Sequence, residues 1–298
     1  QKQAGRVWNK YLVDKLTSIG FTQSQHDPCV FYNGNVLYLL YTDNLILAGP
    51  NQDEINDIIS KMKKVKLDVT VEGDISDFLG VKITKKEDGS FDMTQPQIIN
   101  QIIEDLRLRN AATKKTPAST STLVRHAPND KPFDKSFHYC SVIGKLNFLE
   151  NTSRPDISYI THQCARFSID PKRSHGQAIR RLGRYLYSTA TKGMTMKPDI
   201  NKGLEVHVDA NFAGNWSHEL SHIPSSARSR HGYVISYAGC PLMWKSQLQS
   251  EIALSTTESE YTGLSYALRQ AIPIMRMLQE MEQRGYPIKK DTPKIWCT

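Results

Sequence analysis

The sequence predicts a globular α+β protein, and two kinds of pattern along the chain predict it. Short apolar runs bounded by turn-forming residues are typical of β-strands, and longer stretches with apolar residues three and four positions apart are typical of amphipathic helices. The chain has 298 residues, of which 39% are hydrophobic, so it can form two or three domains of ordinary size. No apolar run approaches the roughly 20 residues that a membrane-spanning helix needs.

The most informative segment covers residues 36–49, with the sequence VLYLLYTDNLILAG. Two apolar runs flank a polar pair, Asp43-Asn44, and this arrangement predicts a β-hairpin of two buried strands. A carboxylate at the tip of such a hairpin adds little to its packing. A fixed anionic oxygen is, however, a suitable ligand for a hard cation such as Mg²⁺, which makes Asp43 a candidate metal ligand.

The elements around this hairpin follow from the same patterns. Asp88-Gly89 is a strong turn signal and predicts a second hairpin, and Pro96 suits the first turn of a helix. The predicted helices of this region cover residues 7–19, 52–64 and 96–106, and the predicted strands cover residues 29–32, 78–84 and 90–94.

The middle of the chain changes in composition. Residues 111–134 are rich in Thr, Ser, Pro, Lys and Asn and predict a linker. Three helices are predicted after it, at residues 137–149, 155–167 and 174–188. This part of the chain is therefore expected to be helical.

A basic stretch crosses the last two of these helices. Eight Lys and Arg residues fall between residues 166 and 197, where Asp170 is the only acidic residue. Arg180, Arg184 and Tyr187 share one side of the predicted helix, and such a face would bind the phosphates of a nucleic-acid duplex without reading its sequence. The alternative interpretation is an ordinary solvated helix face.

The C-terminal third begins with an alternating strand at residues 204–208. Its apolar residues point to one face, so Asp209, which we expect to end the strand, points to the opposite face. Further strands are predicted at 233–237 and 242–244, and a long helix at 258–284.

Glu260 lies one turn into that helix, behind the capping sequence STTE at residues 255–258. If the helix packs over the end of the strand, Asp209 and Glu260 converge, and two carboxylates repel unless a cation or a proton intervenes. Two Mg²⁺ ions about 4 Å apart would suit phosphodiester cleavage. The alternative is that Asp209 begins a turn and Glu260 only interacts with the helix dipole.

The net charge and the cysteine content limit the classes of protein to which the chain can belong. The net charge of +8 favours a polyanionic partner, with nucleic acid as the first choice. The five cysteines form no C-x-x-C pair, which argues against a zinc ribbon or a disulfide framework.

The segment HELSH at residues 218–222 matches the zinc-binding motif H-E-x-x-H. A zinc site of that type needs a helix, and the nearby Gly214 and Pro224 favour a loop.

Eight motifs occur in one order along the chain: KQAGRVW at 2–8, YTDN at 41–44, FLGVKI at 78–83, SVIGKLNFL at 141–149, SRPDI at 153–157, VDANFAG at 208–214, GYV at 232–234 and ALSTTESEY at 253–261. Together they resemble the reverse transcriptase and ribonuclease H region of a copia-type LTR retrotransposon Pol polyprotein. The resemblance runs from end to end, so the chain is expected to be a fragment of such a polyprotein.

The resemblance implies three parts. Residues 1–110 would be the remnant of a reverse-transcriptase palm with its primer-grip hairpin, and residues 111–200 a linker with a helical thumb and connection. Residues 201–298 would be a truncated ribonuclease H-like domain. The implied activity is RNA-directed DNA synthesis together with ribonuclease H, by two-metal phosphoryl transfer on RNA and DNA.

The same resemblance implies site residues and partners. Asp43, Asp209 and Glu260 would be the catalytic, metal-binding carboxylates, with Mg²⁺ as the cofactor. An RNA/DNA hybrid or primer–template and the remaining segments of the polyprotein would be the partners, and no membrane partner is expected. The implied location is the cytoplasm, inside virus-like particles, or the nucleus.

The sequence also departs from the family pattern. Asn44 stands where the family has the second Asp of its turn, and an amide keeps an acceptor oxygen but lacks the negative charge that Mg²⁺ favours. Two further family acids would lie outside the sequence. We therefore expect this polypeptide alone neither to extend a primer nor to cut RNA efficiently.

Three hypotheses follow from these departures. The chain is a segment of an active polyprotein, a decayed or domesticated protein that binds nucleic acid without catalysis, or a relic with no selected role. Whether the chain is itself an enzyme stays open at this point.

Overall fold

The protein is described by a computed structural model, which covers residues 3–120, 123–124, 130–289 and 292–297. Helices and strands are mixed along the chain, which confirms the predicted α+β class. The chain divides into two compact units. Unit 1 consists of Gln1–Ile75 with Gln270–Lys290, and unit 2 consists of Ser76–Arg269 with Asp291–Thr298. Across the described ranges, no helix combines the length and the apolar character that crossing a membrane requires.

Unit 1 is an antiparallel sheet packed against helices. Its elements are α1 (Ala4–Ser18), β1 (Thr22–Gln23), β2 (Val30–Asn33), β3 (Val36–Tyr41), β4 (Asn44–Ala48) and α2 (Gln52–Lys64), together with the C-terminal part of α7 (Thr256–Gln283). The strands are hydrogen-bonded in the order β1-β2-β3-β4. Residues from α1, α2 and the middle strands form one apolar core, among them Leu16, Phe31, Tyr38 and Met62.

The hairpin of β3 and β4 confirms the first prediction from the sequence, with two corrections. Tyr41 pairs with Asn44, so the turn consists of Thr42 and Asp43 rather than Asp43 and Asn44. The strands are also less buried than predicted, since only Val36 and Tyr38 of β3 are buried. No residue of β4 is buried, because β4 lies at the edge of the sheet.

Unit 2 contains the remaining elements. They are β5 (Asp77–Phe78), β6 (Val81–Lys85), β7 (Phe91–Thr94), α3 (Pro96–Asp105), α4 (Tyr139–Thr152), α5 (Ser158–Ala165), α6 (Arg173–Ser188), β8 (Met194–Met196), β9 (Leu204–Asn211), β10 (Arg230–Tyr237), β11 (Cys240–Leu248), the N-terminal part of α7 and β12 (Lys294–Cys297). Short 3₁₀ turns occur at Pro155–Ile157, His218–Leu220 and Pro224–Ser226. The second of the predicted middle helices is therefore a 3₁₀ turn followed by α5.

One predicted strand of unit 2 is wrong. Residues 78–84 were expected to form a single strand, but a tight turn separates β5 from β6, with Phe78 paired to Val81. Leu79 and Gly80 both have positive φ angles, 53° and 77°, as a type I′ hairpin turn requires. Gly80 makes this turn possible because it has no Cβ. The resulting sheet has the order β5-β6-β7-β8.

Helices α3, α4, α5 and α6 enclose a large apolar core. Its fully buried members include Ile99, Leu146, Ile157 and Leu182. A fully buried guanidinium stabilises the end of this layer, since Arg154 donates two hydrogen bonds to Asp156 and others to the carbonyl and hydroxyl oxygens of Thr189. This network fixes the segment that leads from α4 into α5.

The last sheet of unit 2 is mixed. Its order is β11-β10-β9-β12, with β9, β10 and β11 antiparallel and β12 parallel to β9. Helix α7 lies between β11 and β12 in the sequence, and its capping signal is confirmed, because the Glu258 amide donates to Ser255 Oγ at 3.1 Å. Gly263 lets α7 approach the sheet, since a Cβ there would lie 3.2 Å from His231 Cβ and 3.5 Å from Val208 Cγ2.

Candidate functional site

The helix and the strand that carry the two acidic residues of unit 2 are joined by a hydrogen bond. The backbone amide of Ala210 donates to Glu260 Oε1 at 3.2 Å, so the structure brings Glu260 to the residue that follows Asp209. Strand β9 continues past Asp209 to Asn211, and Asp209 is paired with Gly232 of β10. Asp209 therefore does not begin a turn, and its side chain is exposed while Glu260 is half-buried.

A cysteine that the sequence analysis left out lies at the same place. The Cys297 thiol on β12 donates to Glu260 Oε2 at 3.7 Å. Burial raises the pKa of Cys297, and the charges of Glu260 and Asp209 raise it further, so both carboxylates act on one thiol. Cys297 reaches this place because β12 pairs in parallel with β9, a contact between distant segments that no local sequence pattern shows.

The oxygen ligands at this site suit Mg²⁺ in part. Mg²⁺ is usually bound by one or two carboxylates, with water and substrate phosphate completing an octahedral shell. Asp209 and Glu260 supply two such carboxylates, and Asp209 is open to water. Within the described ranges, no group of three or more His, Cys, Asp or Glu side chains could hold a metal ion, so any cation here would need water or substrate oxygens as well.

A cleft of about 390 Å³ opens beside Asp209. The sheet contributes His207, Trp244 and Trp296 to its lining, and the segment around α5 contributes Asp156 and Tyr159. The rings of His207 and Trp296 are nearly parallel, with centroids 6.2 Å apart. The cleft therefore combines a carboxylate with aromatic surfaces.

Asp43 lies in a different setting. It is exposed at the tip of the hairpin, in a two-residue turn whose first member, Thr42, has a φ angle of 57°. A positive φ at the first position of such a turn is typical of type II′. For a β-branched residue this conformation is strained. A strained backbone at an exposed carboxylate is the kind of feature that clusters at functional sites.

The three residues predicted to contact a nucleic-acid duplex differ in their surroundings. Arg180 donates to the Leu106 carbonyl at 2.8 Å and to Ser136 Oγ at 3.1 Å. Arg184 is half-buried, and Tyr187 is exposed. Contact between these three residues and nucleic acid stays a prediction. On binding, Arg180 would either keep these internal hydrogen bonds or replace them with hydrogen bonds to phosphate.

Residues of the predicted linker lie along α6. Arg181 donates to Thr116 Oγ1 at 2.8 Å, and the Lys114 amide donates to the Arg184 carbonyl at 3.4 Å.

The HELSH segment forms only a 3₁₀ turn at His218–Leu220. It lacks the helix that would direct both imidazoles to one zinc ion.

Comparison with known proteins relates these features to one family. The sequence profile of the reverse transcriptase (RNA-dependent DNA polymerase) family matches residues 1–120. The transposon Ty5-1 protein of Saccharomyces cerevisiae is 29% identical over 277 residues, which cover 89% of this chain and 84% of that protein.

Two plant polyproteins match over nearly the whole chain. The retrovirus-related Pol polyprotein from transposon TNT 1-94 of Nicotiana tabacum is 26% identical over 98% of this chain and 22% of its own length. The corresponding polyprotein from transposon RE1 of Arabidopsis thaliana is 26% identical over 99% of this chain and 19% of its own length. The chain thus spans about a fifth of these plant polyproteins. Its residues 1–120 match the reverse transcriptase family, and nearly its whole length is similar to retrotransposon Pol polyproteins.

Proposed function

We propose that the chain is a segment of a polyprotein that carries out RNA-directed DNA synthesis and cleaves the RNA strand of RNA–DNA hybrids, and that this segment binds the hybrid but is catalytically incomplete by itself. In this proposal residues 1–110 are the remnant of the palm, residues 111–200 are the linker, thumb and connection, and residues 201–298 are a truncated ribonuclease H-like domain. The hydrogen bond between Glu260 and Ala210 carries the proposal. It holds a helix carboxylate against the strand of Asp209, within a mixed sheet packed by one helix.

The proposed reaction at this site is hydrolysis of a phosphodiester. A water oxygen attacks the phosphorus, and the ribose 3′ oxygen leaves with the proton balance completed by solvent. Asp209 and Glu260 would hold Mg²⁺, which supplies positive charge where negative charge develops. Asp43 would contribute a carboxylate to the polymerase site in the same way, with the remaining segments of the polyprotein as partners. The proposed location is the cytoplasm, within virus-like particles, or the nucleus.

Hybrid binding with and without metal tests this proposal. The full chain is titrated into a labelled RNA–DNA hybrid in the presence of EDTA and then of Mg²⁺ or Mn²⁺. We expect binding that weakens with salt, because counterions are released from the phosphates, and that becomes tighter with metal. Asp209→Asn and Glu260→Gln should each remove the gain from metal.

Glu251→Gln is the matched control, because it makes the same charge change at an exposed side chain. It should leave the gain from metal intact. Absence of hybrid binding at low salt, or an equal gain from metal in all variants, would refute the proposal.

Asn44 favours a second candidate function, that of a nucleic-acid-binding protein without catalysis. The amide at this position cannot supply the second anionic oxygen of a metal site. This candidate predicts hybrid binding without cleavage of the RNA strand, even with Mn²⁺. Metal-dependent cleavage by the full chain, lost in Glu260→Gln, would exclude it.

A further inference from the structure

Unit 2 contains a second, larger cavity, of about 720 Å³. Its walls come from α5 and the turn after it, from the connection between β9 and β10, and from the end of β11. Cavities of roughly 300–1,000 Å³ are typical of small-molecule and cofactor sites. The volume is therefore large enough for a ligand the size of a nucleotide.

The lining is rich in hydrogen-bond donors. Arg166 and Arg228 contribute two guanidinium groups, and Asn215 and Gln247 contribute amides. Among the lining residues that the structure describes, none is Asp or Glu. This combination suits a ligand that carries negative charge, since guanidinium groups bind phosphate through two parallel hydrogen bonds.

Arg230 adds positive charge behind the wall of this cavity. The half-buried Arg230 guanidinium contacts His162 Nδ1 at 3.3 Å, Ser246 Oγ at 3.2 Å and the ring of Tyr159, whose centroid is 5.0 Å away. None of these partners is a carboxylate. Burial, together with Arg230 and Arg166, lowers the pKa of His162 to about 4, so this imidazole is neutral at pH 7 and leaves the guanidinium charge uncompensated.

An uncompensated charge out of bulk water costs free energy. Burial lowers the pKa of Arg230 only to about 10, so Arg230 remains charged at neutral pH. An anion in the cavity would offset this cost. The charge behind the wall and the donors in the lining are thus two separate indications of the same kind of ligand.

The position of the cavity links it to the candidate acidic pair. Gln249 Nε2 donates to the Ser259 carbonyl at 2.8 Å, and Ser259 immediately precedes Glu260. Arg230 is paired with Asn211, two positions beyond Asp209 on β9. The cavity therefore lies near the end of β9 that carries Asp209 and near the first turn of α7.

We propose that this cavity binds one unpaired nucleotide of a nucleic-acid strand, with a phosphate against Arg166 and Arg228. Leu220, Ile223 and Leu248 supply apolar surface in the same lining, which suits a base or sugar. The inference rests on the proposed function, because it takes the substrate to be nucleic acid. It adds a preference for hybrids that carry a single-stranded end.

Binding of two hybrids by the full chain tests this preference. One labelled RNA–DNA hybrid is blunt, and the other has the same duplex with a short single-stranded overhang. We expect tighter binding of the overhang hybrid. Arg228→Ala should reduce that binding by about tenfold, the effect of losing one charge-assisted hydrogen bond, and should lower the salt-dependence slope by about 0.7.

Arg228 is exposed, so Arg228→Ala is expected to fold normally, and Arg228→Lys should keep most of the preference. Gln247→Glu, which places a carboxylate in the lining without changing its shape, should also remove it. Arg173→Ala is the matched control, since Arg173 is exposed and outside the lining. Its effect on the two hybrids should be equal.

The outcomes separate this inference from the proposed function. Equal binding of the two hybrids by the unmodified chain overturns the inference and leaves the proposed function standing. So does an Arg228→Ala effect that is the same for both hybrids. Absence of binding to either hybrid overturns both proposals.

Discussion

Asp43 and Glu260 are both candidate metal ligands, but different kinds of structure hold them. Asp43 is exposed at a hairpin tip whose second strand, β4, lies at the edge of its sheet. Glu260 is hydrogen-bonded to Ala210 near the end of β9, an interior strand of its sheet, and its helix approaches that sheet closely at Gly263. One carboxylate is placed by a turn alone, and the other by the packing of two elements.

This difference has a consequence for the chemistry that each region can support. Packing fixes Glu260 against the strand that carries Asp209, without a further segment. The hairpin fixes only the backbone of Asp43, and the adjacent side chain is the uncharged Asn44. We therefore expect unit 2 to bind a divalent cation more tightly than the hairpin of unit 1 does.

The largest expected effect comes from separating α7 from its sheet. Gly263→Leu places a bulky side chain where a Cβ would already lie 3.2 Å from His231 Cβ. The free energy of unfolding should fall by roughly 2 kcal/mol, as is usual for an overpacked core. The Ala210 amide should also lose its protection from hydrogen exchange, because Glu260 moves away.

Gly263→Ala is the control for this change. Its methyl group requires only a small adjustment, and Ala favours a helix over Gly by about 1 kcal/mol, so stability should change little. If Gly263→Leu left the Ala210 amide protected, packing of α7 would not be what positions Glu260.

The next effect concerns pH and a buried imidazole under α7. His231 is 1% exposed and stacks on Tyr266, and burial, followed by the charge of Arg230, lowers its pKa to about 4 from an ordinary value of 6.5. Between these values the unfolded chain binds a proton that the folded protein does not. Stability should therefore decrease as the pH falls from about 6.5 to about 4.

His231→Phe tests this link. Neither ring nitrogen of His231 has a hydrogen-bond partner in the structure, so an apolar ring should be tolerated at pH 7. Between pH 7 and pH 5 the variant should lose less stability than the unmodified chain, by about 2 kcal/mol. Urea unfolding at both pH values measures the difference, and an identical pH dependence would contradict the account.

A smaller effect is expected at the hairpin tip. Thr42→Gly should relieve the strain of a β-branched residue at positive φ, which costs about 1–3 kcal/mol, against a Gly entropy cost of about 0.5–1 kcal/mol. The free energy of unfolding should rise by about 1 kcal/mol. Urea unfolding followed by a signal from unit 1 measures it.

Thr22→Gly is the control, because Thr22 lies in β1 of the same unit as an exposed strand residue. It should reduce stability, since Gly weakens a strand. A loss of stability in Thr42→Gly as well would mean that the turn is not strained.

Patterns confined to one element predicted the fold well. The spacing of apolar residues placed α2 at its observed bounds, 52–64, and the capping sequence placed the start of α7 within two residues. The predictions failed where a turn depended on backbone angles, as at Leu79 and Gly80. Register at the hairpin tip shifted by one residue for the same reason.

The sites were harder to predict because they depend on contacts between distant segments. Strand parity and helix position led to the prediction that Glu260 packs near the strand of Asp209, and the structure holds Glu260 against the next residue, Ala210. Cys297 enters only through the parallel pairing of β12 with β9. Helical spacing likewise placed Arg180 on a basic face. It gave no sign that Leu106 and Ser136, 74 and 44 residues away, accept its hydrogen bonds.

The most direct test of the comparison is the order in which Mn²⁺ broadens backbone amide signals. The ¹⁵N-labelled full chain is titrated with Mn²⁺, and the signals of Ala210 and Asn44 are followed. We predict that Ala210 broadens at concentrations that leave Asn44 sharp, and that Glu260→Gln abolishes this broadening. Equal or earlier broadening of Asn44, or an Ala210 response that survives Glu260→Gln, would contradict the account.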